Sequence, residues 1–373
     1  MKLSYLQQVY ENPGPFATVY LDTSAGAEDA AKAIELRWRS TRERLAEQGA
    51  DTGTLDAMTR HISDHEWRTG HRGQILVAQQ GEVVLSDELP QPPGEISAEE
   101  QAYFGAVPHL MPYLRMRGPR IPHVVAIVDH IGAQIRVVHA TQESECTSVA
   151  GDDHPVHKTT GDETSEQHFQ RSVEEQWKAN AALVGEEITK HAMHIGAKAI
   201  VLAGDPRQRT LVHEQIGGNV RDTVVETEAG HSDRKASDEY LQHQVAETVD
   251  SILRSRVDER VGEFEQQRGE HQRAVEGWQG VREALRREQI QTLLWADRAP
   301  ESSVDRLSIG PNSCDVGRDE VDLGVAAIGS APASAAVVRA LVGTSAELIL
   351  VDPEKVELTD GIGGILRYTT GSA

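Results

Sequence analysis

Pro122-His-Val-Val-Ala-Ile-Val-Asp-His-Ile-Gly-Ala-Gln-Ile-Arg-Val-Val-His139 holds two apolar, β-branched runs, His123–Asp129 and Gln134–Val138, around a turn containing Gly132. Val and Ile fit a pleated, half-buried surface, so this stretch predicts a β-hairpin. Beyond it lies a loop rich in Asp, His and Thr. Phe169, Val173, Trp177, Ala181, Val184, Ile188 and Ala192 then recur at steps of three or four, which predicts a helix from Thr164 or Ser165 to Ala192, stopped by Gly196. Lys198–Ala203 reads as a buried strand, Asp205 and Pro206 as the N-cap and first residue of a helix to Ile216, and Val220–Glu226 as a closing strand. Hairpin, helix, strand, helix, strand is an α/β layered unit.

Outward from this unit, 373 residues exceed one ordinary domain and divide into three segments, 1–118, 119–229 and 230–373. In the first, Pro15–Asp22 reads as a strand, Ala30–Glu47 and Thr54–Trp67 as amphipathic helices, and Gln74–Gln79 with Glu82–Ser86 as a hairpin turning at Gln80-Gly81. The basic cluster Tyr-Leu-Arg-Met-Arg-Gly-Pro-Arg, residues 113–120, marks the boundary with the second segment. In the third, Leu241, Val245, Val249, Ile252, Val257, Val261 and Phe264 form one helical stripe. Ala274–Glu288 follows as a helix, Gln291–Trp295 as a strand, Ala333–Val342 as a helix capped by Gly343, and Glu347–Val351 as a strand. Ala299–Gly324 reads as irregular, and the glycines of 361–364 as a structural turn before a last strand, Ile365–Tyr368.

Asp and Glu number 59 against 37 Lys and Arg, a formal charge of -22 that opposes nonspecific binding to phosphate backbones and anionic membranes. Lysine is scarce, and an acidic, lysine-poor surface fits a salty cytosol, where screening shortens the reach of that charge. With no apolar run of membrane length, no signal-like start and only Cys146 and Cys314 as cysteines, the chain reads as cytoplasmic and without membrane partner or cofactor. No phosphate-cradling glycine loop and no Gly-x-Ser-x-Gly elbow occurs. Asp129 and Asp205 end predicted strands and could hold metals for phosphodiester cleavage, but a hairpin turn, where Asp is common, and a helix N-cap already account for them. His154 and His157 beside Asp152 and Asp153 are metal-ligand types on a loop that does not fix their geometry, and His191 and His194 fit a solvated helix end. The loop and helix start His157–Arg171 is polar, with Thr164 and Gln167 in capping-box spacing and Arg171 able to bridge phosphates.

The hairpin, the loop Val-His-Lys-Thr-Thr-Gly-Asp-Glu-Thr-Ser-Glu-Gln-His-Phe-Gln-Arg171, the helix Ser172–Ile188 and the strand and turn Ala197–Arg207 together resemble the archaeo-eukaryotic release factor and Pelota superfamily in its bacterial branch. Ala274–Asp297 resembles the start of that family's C-terminal domain and Asp360–Tyr368 its end; the N-terminal segment matches loosely. Among bacterial members the chain looks closest to actinobacterial relatives of Balon, a ribosome hibernation factor.

The resemblance implies three α/β domains: an N-terminal domain directed toward the decoding centre, an RNase-H-like middle domain and an L7Ae-like C-terminal domain. It implies a ribosome partner through ribosomal RNA of the A site, and delivery with elongation factor Tu. Release factors carry a Gly-Gly-Gln tip on the middle-domain loop, whereas this chain has Gly161-Asp-Glu-Thr-Ser-Glu-Gln167 without paired glycines. Of the Gly-Gly-Trp-Ser-Gln-like tip frequent in bacterial relatives, Ser165 is retained.

The expectation is a noncatalytic factor that occupies the A site and protects idle ribosomes, with peptidyl-tRNA hydrolysis and a metal-dependent RNase-H-like nuclease as the rival readings. His157, Lys158, Ser165, Gln167, His168, Gln170 and Arg171 are the expected contacts to ribosomal RNA. Arg115, Arg117 and Arg120 form either an RNA-facing patch or a solvated linker.

Overall fold

The structure, a computed structural model, describes residues 1–24, 30–65, 70–94, 96–140, 144–151, 163–228, 234–270, 272–297 and 306–368. It is a mixed α/β protein whose contacts divide it into two compact units, residues 1–118 with 257–373, and residues 119–256.

In the first unit a short 3-10 turn, Ser4–Tyr10, precedes β1 (Phe16–Asp22), α1 (Ala30–Glu47), α2 (Thr52–Asp64), β2 (Gly73–Gln79) and β3 (Glu82–Leu89). Next come α3 (Ala98–Gln101), β4 (Ala102–Gly105) and α4 (Met111–Arg117). The strands form a sheet in the order β3-β2-β1-β4. Gln80 and Gly81 both have positive φ, 49° and 81°, which lets a two-residue turn match the strand twist. Asp51 caps α2 by accepting the backbone N–H of Thr54 at 2.9 Å, so this helix starts two residues earlier than its apolar pattern implies. Ile34, Trp38, Leu55 and Met58 cover one face of the sheet through Val19, Leu21 and Leu76.

The second unit holds β5 (His123–Val128), β6 (Gly132–Val138), β7 (Glu145–Ala150), α5 (Glu163–Ile195), β8 (Ala199–Gly204), α6 (Pro206–Gln215), α7 (Gly218–Arg221) and β9 (Val224–Glu226). Its five strands run in the order β7-β6-β5-β8-β9, with β5, β8 and β9 parallel. The apolar alternation of the hairpin sends Val124, Ala126, Val128, Ile135 and Val137 to one face, where Ala181, Val184, Ile188 and Ala192 of α5 and Val212 of α6 pack. Val125, Val201 and Ala203 on the other face meet Leu241 and Val245 of α8 (Arg234–Gly269), the helix that runs across the division. β7 was read as loop: its residues are mostly exposed, leaving no apolar alternation to mark it. The strand expected over Val220–Glu226 is instead the turn of α7 followed by a three-residue β9.

The chain then re-enters the first unit through β10 (Ala274–Glu276), α9 (Gly277–Arg286), β11 (Ile290–Ala296), β12 (Arg306–Ile309), β13 (Val316–Gly317), α10 (Glu320–Leu323), β14 (Gly329–Pro332), α11 (Ala333–Thr344), β15 (Glu347–Val351) and β16 (Ile362–Leu366). Two sheets result, β10-β16-β11-β15 and β13-β12-β14. Four expectations change. Ala274–Glu276 is a strand, and the helix begins only at Gly277, whose φ is 71°. The stretch read as irregular contains β12, β13 and α10.

Helix α11 continues through Gly343 to Thr344 and turns at Ser345, which has φ 54°. Gly363 and Gly364 lie inside β16, where a Cβ on Gly363 would stand 2.9 Å from the Phe264 ring. The outer segments share one core: Leu3, Leu6 and Val9 of the 3-10 turn, Tyr20 and Val77 of the first sheet, Tyr113 and Leu114 of α4, and Val337, Val338 and Leu341 of α11. Where the sequence reading divides the chain at 118 and 229, the contacts divide it at 118 and 256 and join the ends.

Candidate functional site

β5, β7 and β8 point the same way, so Val128, Ala150 and Gly204 bring three loops to one end of the central sheet. Carboxyl ends of strands are where open α/β sheets place binding loops. The first is the turn after β5. Asp129 Oδ1 accepts the backbone N–H groups of Ile131 and Gly132 at 2.7 and 2.8 Å, folding the hairpin back on itself. The second is the junction of β8 and α6. Asp205 donates its backbone N–H to Val128 O at 3.1 Å, and its Oδ1 accepts from Gln208 N at 3.0 Å, capping α6 ahead of Pro206.

The third is the root of the loop that follows β7. Gly151 donates its N–H to Ile131 O at 2.8 Å, and Asn180 of α5 donates Nδ2 to His130 O at 3.1 Å. A Cβ on Gly151 would sit 2.1 Å from Asn180 Oδ1, so the chain leaves β7 pressed against α5. Asn180 is buried, and it links the turn, the helix and the loop root. Nothing in the sequence marked it, because it stands one position before the apolar stripe residue Ala181. On the neighbouring surface Arg207 pairs with Glu174 at 2.7 Å and lies 4.9 Å above the Trp177 ring, locking α6 to α5. Buried Arg209 donates Nη1 to Thr227 O, holding the end of β9.

The expected contact residues follow this root in the sequence. His157 and Lys158 lie outside the described residues, as do His154 and the acidic Asp152 and Asp153. Ser165, Gln167, His168 and Gln170 fall in the first turns of α5, where the backbone alone is described. Helix α5 already includes Thr164, which is therefore not its cap. Arg171 is exposed on α5.

The three other arginines have different partners. Arg115 pairs with Asp297 at 3.1 Å on the surface. Arg117 is nearly buried: it pairs with Asp87 at 3.4 Å and stacks 4.5 Å from the Tyr5 ring centroid, while Tyr113 donates its hydroxyl to the same Asp87 at 2.6 Å. That guanidinium is committed inside the first unit. Arg120 belongs to the second unit and is half-buried, with a partner of its own.

The two carboxylates of the nuclease reading stand at neighbouring strand ends, but each accepts backbone N–H groups as a turn or cap residue. His191 pairs with Glu187 at 3.7 Å along α5, and His194 is exposed in the last turn. Among the described residues no group of three His, Cys, Asp or Glu could hold a metal ion. No described helix is long and apolar enough to cross a membrane. Asp205→Ala is expected to cost about 1 kcal/mol of stability, the ordinary worth of an N-cap, as read by urea unfolding.

Residues 122–270 match the family described as bacterial archaeo-eukaryotic release factor family 2. An uncharacterized protein of Mycobacterium tuberculosis strain H37Rv is 26% identical over 373 residues, covering 99% of this chain and 97% of the relative. Among solved structures, an archaeal translation termination factor is 15% identical, with 98% and 99% of the two chains covered and a TM-score of 0.27. Archaeoglobus fulgidus Pelota is 13% identical over 81% and 80% of the two chains, with a TM-score of 0.32. The family match spans the central sheet, α5 and all of α8. Over these residues the chain is similar to the bacterial branch of the archaeo-eukaryotic release factor superfamily.

Proposed function

We propose that the protein is a ribosome-associated translation factor that occupies the A site without hydrolysing peptidyl-tRNA and protects idle ribosomes. The observation that carries this reading is a release-factor family match over residues 122–270 combined with a tip sequence, Gly161-Asp-Glu-Thr-Ser-Glu-Gln167, that lacks paired glycines. Release chemistry needs a compact turn to aim a glutamine and its water, and a single glycine does not supply the two permissive backbone positions. His157, Lys158, Ser165, Gln167, His168, Gln170 and Arg171 are the proposed contacts to ribosomal RNA, presented from the root that Gly151 and Asn180 build. Arg115 and Arg120 serve as secondary RNA contacts, and Arg117 as the internal anchor of α4.

The proposed domains are an N-terminal segment 1–118, an RNase-H-like middle segment 119–229 and an L7Ae-like segment 230–373, with elongation factor Tu as carrier. A net charge of -22 favours binding where salt screens repulsion from ribosomal phosphates. The test is cosedimentation with ribosomes of stationary-phase cells at the organism's own salt concentration. The protein is expected in the ribosomal pellet, with no peptide released from stalled ribosomes by the wild type or by Gln167→Ala. A protein found wholly in the supernatant contradicts the reading. Peptide release that falls on Gln167→Ala substitutes the hydrolytic one.

A further inference from the structure

His61 lies in the last turn of α2, and His65, four residues on, is the extended residue that caps the helix end. Their rings lie 6.0 Å apart between centroids and only 28° from parallel. His61 is half-buried, and its orientation is fixed from outside the helix. Its Nε2 meets Ser86 Oγ of β3 at 2.9 Å, and the same Oγ accepts the side-chain N–H of Gln74 of β2 at 2.6 Å. Gln74 is itself buried, so the serine is held by the sheet. A hydroxyl oxygen has two lone pairs and can accept from both groups. With its proton on Nε2, His61 donates to Ser86 and turns Nδ1 into a lone-pair donor.

An imidazole whose other nitrogen donates to a fixed oxygen has the arrangement of a metal-ligating histidine with its supporting hydrogen bond. We propose that His61 and His65 form a two-point chelate for a late first-row divalent cation such as zinc, oriented by Ser86 and Gln74. Imidazole suits zinc, copper and nickel, whereas magnesium and calcium prefer oxygen donors. Among the described residues no third His, Cys, Asp or Glu joins the pair. The site lies in the first unit and does not depend on the translation-factor reading.

Calorimetric titration of the full chain, freed of metal, with zinc chloride in excess magnesium tests the proposal. With 16 histidines in the chain, the informative quantity is the difference between variants. Wild type is expected to show a zinc site that His65→Ala and His61→Gln each remove or weaken at least about tenfold, and that Ser86→Ala weakens by about tenfold, the typical worth of a supporting hydrogen bond. His65 is exposed, so its replacement leaves the fold intact. Zinc binding unchanged in both histidine variants, or no zinc binding in the wild type, overturns the assignment.

Discussion

Gly204→Ala is expected to destabilise the unit of residues 119–256 by about 3–5 kcal/mol, a large part of the 5–15 kcal/mol that ordinarily holds a domain together. Gly204 ends β8 with φ 105°, a conformation that L side chains rarely adopt, and that alone costs about 1–3 kcal/mol. The added methyl would also stand 2.1 Å from Val128 O and 2.8 Å from Val128 N. These are backbone atoms of β5 in register with Gly204, so relief means separating the two central strands. Both loops of the proposed docking end, the Asp129 turn and the Asp205 cap, hang on this crossing and should loosen with it. Urea unfolding of the full chain, with hydrogen exchange at residues 124–128, measures the effect. Gly262→Ala is the control. That glycine is helical, has nothing within 4 Å of a built Cβ, and should gain up to about 1 kcal/mol from the better helix former. A Gly204→Ala chain within about 0.5 kcal/mol of wild type, the usual scatter for surface positions, contradicts the packing described here.

Acid should weaken the first unit through His109. This residue is 4% exposed, and its backbone is held by Thr18 and by Tyr20, whose hydroxyl donates to His109 O at 2.7 Å. Its Nε2 meets Ser334 Oγ of α11 at 3.1 Å, with Glu100 Oε1 at 4.0 Å and the Tyr103 ring edge-on. Burial pushes its pKa down to about 4; the Glu100 carboxylate opposes this and Arg115 assists it.

Between pH 4 and the ordinary 6.5 the unfolded chain therefore binds a proton that the folded chain refuses. The contribution of His109 is present in full above pH 6.5 and is lost as pH falls toward 4, a difference of about 3 kcal/mol. In the second unit, burial lowers the pKa of His123 as well, with Arg136 reinforcing the shift, so both units lose stability in the same direction. Urea midpoints at pH 7.5 and pH 4.5 read the effect. His109→Gln keeps a polar group for Ser334 and is expected to remove most of the first unit's histidine-linked slope. An unchanged slope in that variant would assign the acid sensitivity elsewhere.

The parts of the fold legible in the sequence are those where local chemistry and tertiary packing agree. The β5–β6 hairpin shows its apolar alternation, α5 its helical stripe, and Asp205-Pro206 its capping function, and each depends on neighbours a few residues away. β7 was illegible because its strand state comes from pairing with β6, while Glu145–Ala150 faces water. Gly363 and Gly364 read as a turn because nothing local reveals that Phe264 and Leu358 fill the space above β16.

The joint core of the chain ends was illegible for the same reason. Leu6 and Val9 reveal their partners only when α11, more than three hundred residues away, is placed against them. At the candidate site the carboxylates were readable as caps and turns. Arg117 was not, since Tyr5 and Asp87, which claim its guanidinium, are remote in sequence. The sequence reading passed over His61 and His65, whose pairing depends on Ser86 of β3, remote in sequence.

Cryo-electron microscopy of ribosomes from starved cells, prepared at the organism's native salt, bears most directly on the proposed role. The account predicts density for the five-stranded unit in the A site, with the chain after Gly151 extending along ribosomal RNA and an intact peptidyl-tRNA or empty P site beside it. Density at another ribosomal site, or none on any particle, would contradict it.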